Sequence, residues 1–147
     1  MKLSNNFTLE ELTISETAAR QGIDNTPDAD VVSNLTMLCG NILEPLRASL
    51  GGKPISITSG YRSPKTNEAI GGVATSQHCF GQAADIHVSG MTTEELFLFI
   101  TEKTSLPFDQ VIQEFNQWVH VSYRANPRGQ KLRATHEDGK TVYTAVA

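Results

Sequence analysis

Cysteine is scarce in this sequence. The chain has 147 residues and two cysteines, Cys39 and Cys79, which are too few for a disulfide framework and fit a reducing compartment or simple packing. Positive charge is also scarce, because 12 Lys and Arg stand against 16 Asp and Glu and give a net charge of −4. No basic cluster is present, so the sequence argues against nucleic acid and anionic lipid as partners.

Long apolar runs are missing at the amino terminus. The opening stretch, MKLSNNFTLEEL, has one early Lys and no apolar segment behind it, unlike a signal peptide or a membrane anchor. We therefore expect synthesis in the cytoplasm without a signal peptide. Apolar residues still form 39% of the chain, which is enough for one core at this length. The sequence predicts a single domain over residues 1–147, and we expect a monomer.

Helical patterns dominate the first third of the chain. Apolar residues recur at helical spacing from Asp28 to Leu50, and Pro45 should kink this helix late in its course. Capping residues predict four shorter helices, which begin after Thr8, Ser15, Ser63 and Thr92.

Alternating β-branched residues predict strands later in the chain. These are ISITSG, AADIHV, a hairpin formed by DQVIQEF and WVHVSY, and a closing hairpin with a DG turn in KLRATHEDGKTVYTAV. Most helices precede the strands. The expected fold class is therefore α+β, with a small antiparallel sheet flanked by helices.

Two histidines and an aspartate lie close together in SQHCFGQAADIHV. Strand alternation places Asp85 and His87 on one face, and the small residues before the strand allow the loop with His78 to fold back. His120 lies in another predicted strand of the same sheet. Asp85 and His120 can therefore lie side by side.

Two imidazoles and one carboxylate are the ligand set of a catalytic zinc site with one position open for water. The pKa of water at such a position falls to about 7, which makes it a nucleophile at neutral pH. A histidine in a strand also occurs as a hydrogen-bonded structural residue, so spacing alone leaves both interpretations open for His78, Asp85 and His120. The structural interpretation is favoured for His87 and His136.

The stretch SGYRSPKTNEAIGGVATSQHCFGQAADIHV, followed later by WVHVSY, resembles the zinc-dependent M15 peptidases. This is the D-Ala-D-Ala carboxypeptidase family, which includes many phage endolysins. The signature S-x-H-x-x-G-x-A-x-D is complete from Ser76 to Asp85, and W-x-H occurs at Trp118 and His120. The resemblance extends to about Tyr123 and implies the zinc peptidase fold shared by DD-peptidases and hedgehog signalling domains. The tail from Arg124 onward matches no known pattern.

The resemblance implies roles for individual residues. The ligands of Zn²⁺ would be His78, Asp85 and His120. Arg62 would hold a carboxylate or the polar backbone of the substrate with its paired donors. Ser76 would line the site near the metal or the substrate, while Cys79 is expected to point away and pack.

The general base departs from part of the family. Many members have Glu or Asp three residues before the last histidine, but this chain has Gln117, which cannot accept a proton from water at neutral pH. Glu114 is the expected replacement, since QVIQE resembles a Q-x-I-x-E stretch of phage-type relatives. A turn one residue longer than NQ would put Glu114 and His120 on the same face. A noncatalytic Glu114, or a site without a base, is the alternative.

The resemblance implies hydrolysis of a peptidoglycan stem peptide, at a terminal D-Ala-D-Ala bond or an internal bond such as L-Ala-D-Glu. With no signal peptide, the expected role is a phage or prophage lysis enzyme that reaches the cell wall after a holin opens the membrane. A zinc-binding domain without peptidase activity is the competing interpretation, which Gln117 leaves open. A serine-type DD-peptidase is disfavoured, because SPK at 63–65 lacks the S-x-x-K spacing.

Overall fold

Helices occupy much of the first half of the chain in the computed structural model, which describes residues 1–146. The α-helices are α1 (Leu9–Thr13), α2 (Glu16–Gln21), α3 (Ala29–Leu38), α4 (Glu44–Ser49), α5 (Pro64–Ala69) and α6 (Thr93–Lys103). The predicted caps are confirmed, because the side chains of Thr8, Ser15, Ser63 and Thr92 each accept a hydrogen bond from the first turn of the following helix. Across residues 1–146, every helix is too short or too polar to cross a membrane.

The helical stretch predicted from Asp28 to Leu50 is interrupted. A π-helical segment, Cys39–Leu43, separates α3 from α4. Pro45 has no N–H, and in a regular helix its ring would collide with the carbonyl four residues earlier. In the π segment the Glu44 N–H instead bonds to the carbonyl of Cys39, five residues earlier. The regular helix is therefore interrupted just before the proline, and the kink itself stays a prediction.

The strands form one six-stranded sheet. They are β1 (Ile55–Ser59), β2 (Ala83–Val88), β3 (Gln110–Glu114), β4 (Trp118–Ser122), β5 (Gln130–Glu137) and β6 (Lys140–Ala145), in the order β1-β2-β4-β3-β5-β6. Both predicted hairpins are present, β3–β4 and β5–β6. The predicted antiparallel sheet is wrong at one pair, because β3 and β5 are parallel.

The parallel pair results from the path of the chain after β4. This strand ends beside the start of β3, where the Gln110 N–H donates to Ser122 Oγ at 3.0 Å. The chain then passes the start of β3 and enters β5 at Gln130, which pairs with Gln110. Because β5 begins at the same end of the sheet as β3, the two strands run in the same direction.

The two faces of the sheet differ in composition. One face packs against helices through fully buried side chains that include Ile86, Val111, Val119 and Val121. Alternation along β2, β3 and β4 sends Asp85, Glu114 and His120 to the opposite face. The sheet therefore separates the apolar core from the polar residues that the sequence singles out.

Candidate metal centre

His78, Asp85 and His120 meet at one point on the polar face of the sheet. His78 lies in a 3₁₀ turn, Gln77–Phe80, that precedes β2, while Asp85 and His120 are direct partners in the β2–β4 register. One ligand atom from each residue lies within 4.8 Å of the other two, and all three residues are buried. The structure thus brings together the three residues that the signature predicts.

The turn that carries His78 is fixed at both ends. Ser76 Oγ accepts a hydrogen bond from the His78 N–H at 3.2 Å. Gly81 closes the turn at φ +74°, and a Cβ atom there would lie 2.7 Å from the Val31 carbonyl oxygen, so only glycine fits without displacement. The serine and the glycine of the signature therefore position His78, and Ser76 has this capping role in addition to any contact with a substrate.

The hydrogen bonds of His78 define its tautomer. Its Nδ1 lies 2.7 Å from the Gly60 carbonyl oxygen, which can only accept, so Nδ1 carries the proton. Burial lowers the pKa of His78, which leaves the imidazole neutral at neutral pH. The Nε2 lone pair then faces Asp85 Oδ1 at 3.2 Å and has no hydrogen-bond partner among residues 1–146, although it is buried.

Two acceptors that face each other in a buried site require a cation between them or a proton on one of them. Asp85 also lies 3.2 Å from His120 Nδ1 through Oδ1 and 3.6 Å from an Arg62 Nη2 through Oδ2. Burial alone would raise the pKa of Asp85, but its interactions with the facing His78 and His120 outweigh burial and hold the pKa below its usual range. Two imidazoles and an ionised carboxylate match the donors that Zn²⁺ accepts. His78, Asp85 and His120 therefore form a possible zinc site.

Glu114 lies beside this cluster. The β3–β4 turn contains three residues, 115–117, so Glu114 pairs with Trp118 and shares a sheet face with His120. Glu114 Oε1 is 3.6 Å from His120 Nδ1 and accepts a hydrogen bond from Trp118 Nε1 at 3.2 Å. Gln117 is exposed in the turn. The turn is one residue longer than NQ, which is the geometry that brings Glu114 to the cluster.

Arg62 borders the cluster on the side of β1. A bulge in β1 pairs Ser59 with Asp85, and Arg62 follows three residues later. Its Nε donates to Ser59 Oγ at 3.1 Å and its Nη1 to Asn67 Oδ1 at 3.0 Å. Each terminal nitrogen of a guanidinium carries two N–H groups, so donors remain for a substrate. The contacts hold Arg62 in place before any substrate binds.

Sequence reasoning missed two supports of the site. The sequence marks Trp118 only as part of W-x-H, and its hydrogen bond to Glu114 depends on the strand register. Gln77 adjoins His78 and donates to the buried carboxylate of Asp109 at 3.0 Å. The W-x-H motif is a sequence signal for Trp118, but no sequence pattern marks Gln77.

The remaining histidines and Cys79 do not join the cluster, which among residues 1–146 contains only the three predicted residues. His87 is exposed on β2. His136 stacks on Phe115 with ring centroids 4.0 Å apart. Cys79 is partly buried, and burial raises the pKa of its thiol.

Comparisons with known proteins agree with this geometry. The family model described as Peptidase M15 matches residues 5–122, which is well over half of the chain, and the chain belongs to this family. A zinc D-Ala-D-Ala carboxypeptidase from Streptomyces albus G is 41% identical over 44 residues, which is 30% of this chain and 17% of that protein. The match thus spans less than a fifth of that relative. The β5–β6 hairpin lies beyond the family match.

Proposed function

We propose that this protein is a zinc peptidase that hydrolyses the stem peptide of peptidoglycan. The observation that carries the proposal is the buried His78 Nε2, which faces Asp85 without a hydrogen-bond donor and lies in a cluster with His120. The M15 family match and the partial similarity to a zinc D-Ala-D-Ala carboxypeptidase support the metal and the substrate class. The resemblance of QVIQE to phage-type relatives supports a role in phage or prophage lysis of the cell wall.

His78, Asp85 and His120 would hold the metal. When bound, zinc supplies Lewis acidity, which lowers the pKa of water and draws electrons from a carbonyl oxygen. Glu114 stands next to His120 and is the carboxylate positioned to accept the proton of the attacking water. Glu114 then returns that proton to the nitrogen of the leaving amine.

Trp118 and Arg62 prepare the site for this reaction. The Trp118 indole N–H fixes the Glu114 carboxylate on the side of the metal ligands. The Arg62 guanidinium is held beside Asp85 and can grip a carboxylate of the substrate next to the scissile bond. That carboxylate belongs to the terminal D-Ala in D-Ala-D-Ala and to D-Glu in L-Ala-D-Glu, and in both cases it is part of the leaving segment.

The test compares the zinc-loaded protein with its Glu114→Gln variant on peptidoglycan sacculi, with mass spectrometry of the released fragments. We expect new amino termini or free D-Ala from the parent alone, with zinc bound to both proteins. Zinc binding by both proteins without any release would instead favour the zinc-binding domain that lacks peptidase activity.

A further inference from the structure

A surface groove lies beside the edge strand β1, and Arg62 is one of the residues that line it. Its volume is about 550 Å³. Residues from the α1–α2 junction, from β1 and from the end of α5 line it, among them Ile14, Glu16, Ile57, Arg62 and Ile70. Arg62 also lies 3.6 Å from Asp85 of the metal centre through its Nη2, so the groove and the metal centre share this side chain.

The groove combines apolar walls with two opposite charges. Ile14 is 69% exposed and Ile70 is 45% exposed, so two large aliphatic side chains face solvent within one concave surface. Arg62 provides a positive charge beside the metal centre. Glu16 is exposed and provides a negative charge at another point of the groove. Among residues 1–146, Glu16 takes part in no salt bridge.

The size of the groove bears on the length of the leaving segment. Pockets of roughly 300–1,000 Å³ bind ligands of drug size, and a single alanine residue is far smaller. If Arg62 holds the carboxylate next to the scissile bond, as the proposed function has it, the rest of the groove has no occupant when one D-Ala leaves. A leaving segment of several residues would occupy it.

We infer that this groove binds the leaving segment of the substrate over more than one residue, with Arg62 on a carboxylate next to the scissile bond and Glu16 on an amine farther along. This inference rests on the proposed function. In stem peptides that alternation of charge occurs in D-Glu followed by a diamino acid. The bond cleaved is therefore the internal L-Ala-D-Glu bond: water adds across it, the carbonyl carbon gains OH, and the D-Glu nitrogen gains H.

The experiment uses the pentapeptide L-Ala-γ-D-Glu-L-Lys-D-Ala-D-Ala and a matched peptide with norleucine in place of Lys. Mass spectrometry of the products distinguishes free L-Ala from free D-Ala. We expect free L-Ala, and a kcat/KM about two- to fivefold higher for the Lys peptide. Glu16→Gln should remove this preference, whereas Glu102→Gln, an exposed carboxylate on α6 outside the groove, should keep it.

A second pair of variants tests the apolar walls. Ile70→Ala should raise KM for both peptides, whereas Val73→Ala, which removes a 69% exposed side chain outside the groove, should not. Binding of the product γ-D-Glu-L-Lys-D-Ala-D-Ala, measured by calorimetry, should weaken in Glu16→Gln by the same factor. This measurement does not require turnover.

The outcomes separate the two proposals. Release of D-Ala alone, or equal kcat/KM values for the Lys and norleucine peptides, would overturn the groove inference and leave the peptidase intact. If no peptide or sacculus is cleaved but the product binds with dependence on Glu16, the groove stands and the proposed function fails. Loss of both cleavage and product binding would overturn both.

Discussion

The buried carboxylate of Asp109 provides a quantitative test of how the chain after β4 is held. The residue is fully buried and accepts hydrogen bonds from the backbone N–H, Nε and an Nη2 of Arg128 at 2.9, 3.0 and 2.7 Å. Arg124 Nε lies 3.1 Å from the same carboxylate. Gln77, beside His78, donates to it at 3.0 Å. Asp109→Asn keeps the shape of this side chain and removes its charge.

The pKa of Asp109 gives the size of the effect. Burial alone would raise it, but the hydrogen bonds from Arg128 and Gln77 outweigh burial and lower the pKa from 3.8 to about 2. A carboxylate whose pKa is lower in the folded protein stabilises the fold above the unfolded pKa, and this contribution is lost as the pH falls through the folded pKa. At 1.36 kcal/mol per pKa unit, the ionised form contributes about 2 kcal/mol.

Urea denaturation of the parent and of Asp109→Asn, at neutral pH and at intervals down to about pH 2, measures this contribution. The parent should be more stable by at least about 2 kcal/mol at neutral pH. Most of that difference should disappear between about pH 4 and pH 2, because the parent carboxylate then becomes protonated. Glu137→Gln, an exposed carboxylate near the β5–β6 turn, is the control. A stability difference that is absent at neutral pH, or that does not change with pH, would refute the reasoning.

Two further predictions concern the polar face of the sheet and the turn that precedes β2. Trp118→Phe removes the indole donor from Glu114. Because a hydrogen bond to a charged group contributes about 1.5–3 kcal/mol, kcat on stem peptides should fall roughly tenfold or more, with one zinc still bound. An unchanged kcat would contradict the role of Trp118. Gly81→Ala should lower the free energy of unfolding by more than Gly139→Ala in urea denaturation. Both glycines have positive φ, at +74° and +76°. A Cβ at Gly81 would meet the Val31 carbonyl oxygen at 2.7 Å, whereas one at Gly139 would meet nothing within 4 Å. Equal losses of unfolding free energy in the two variants would show that the contact with Val31 is unimportant.

The sequence predicts that His78, Asp85 and His120 come together, because local rules determine most of this cluster. Alternation in β2 places Asp85, the serine and glycine of the signature shape the turn of His78, and the W-x-H motif marks His120. Each of these features lies within about ten residues of the ligand it positions. Only the pairing of β2 with β4 is long-range. Its register is restricted because a shift of one residue would move the polar side chains of a strand to the apolar face of the sheet.

The direction of β5 could not be predicted in the same way. It depends on the seven residues between β4 and β5, and on the buried Asp109 that holds Arg128 in place. Nothing near Asp109 in the sequence shows that it binds residues 15 and 19 positions later. The hydrogen bond from Trp118 to Glu114 was also beyond prediction, since it requires the three-residue turn that sets the register of the hairpin.

The central claim, that His78, Asp85 and His120 hold zinc, is tested most directly by equilibrium zinc binding in competition with a chromophoric chelator. The parent should bind one equivalent, and His78→Ala, Asp85→Asn and His120→Ala should each weaken binding by more than the 10- to 100-fold typical of residues that only support a ligand. His87→Ala, which alters the exposed histidine on the same strand as Asp85, should bind zinc as the parent does. Parent-like affinity in any of the three ligand variants, or a loss in His87→Ala as large as that in His78→Ala, would contradict the assignment.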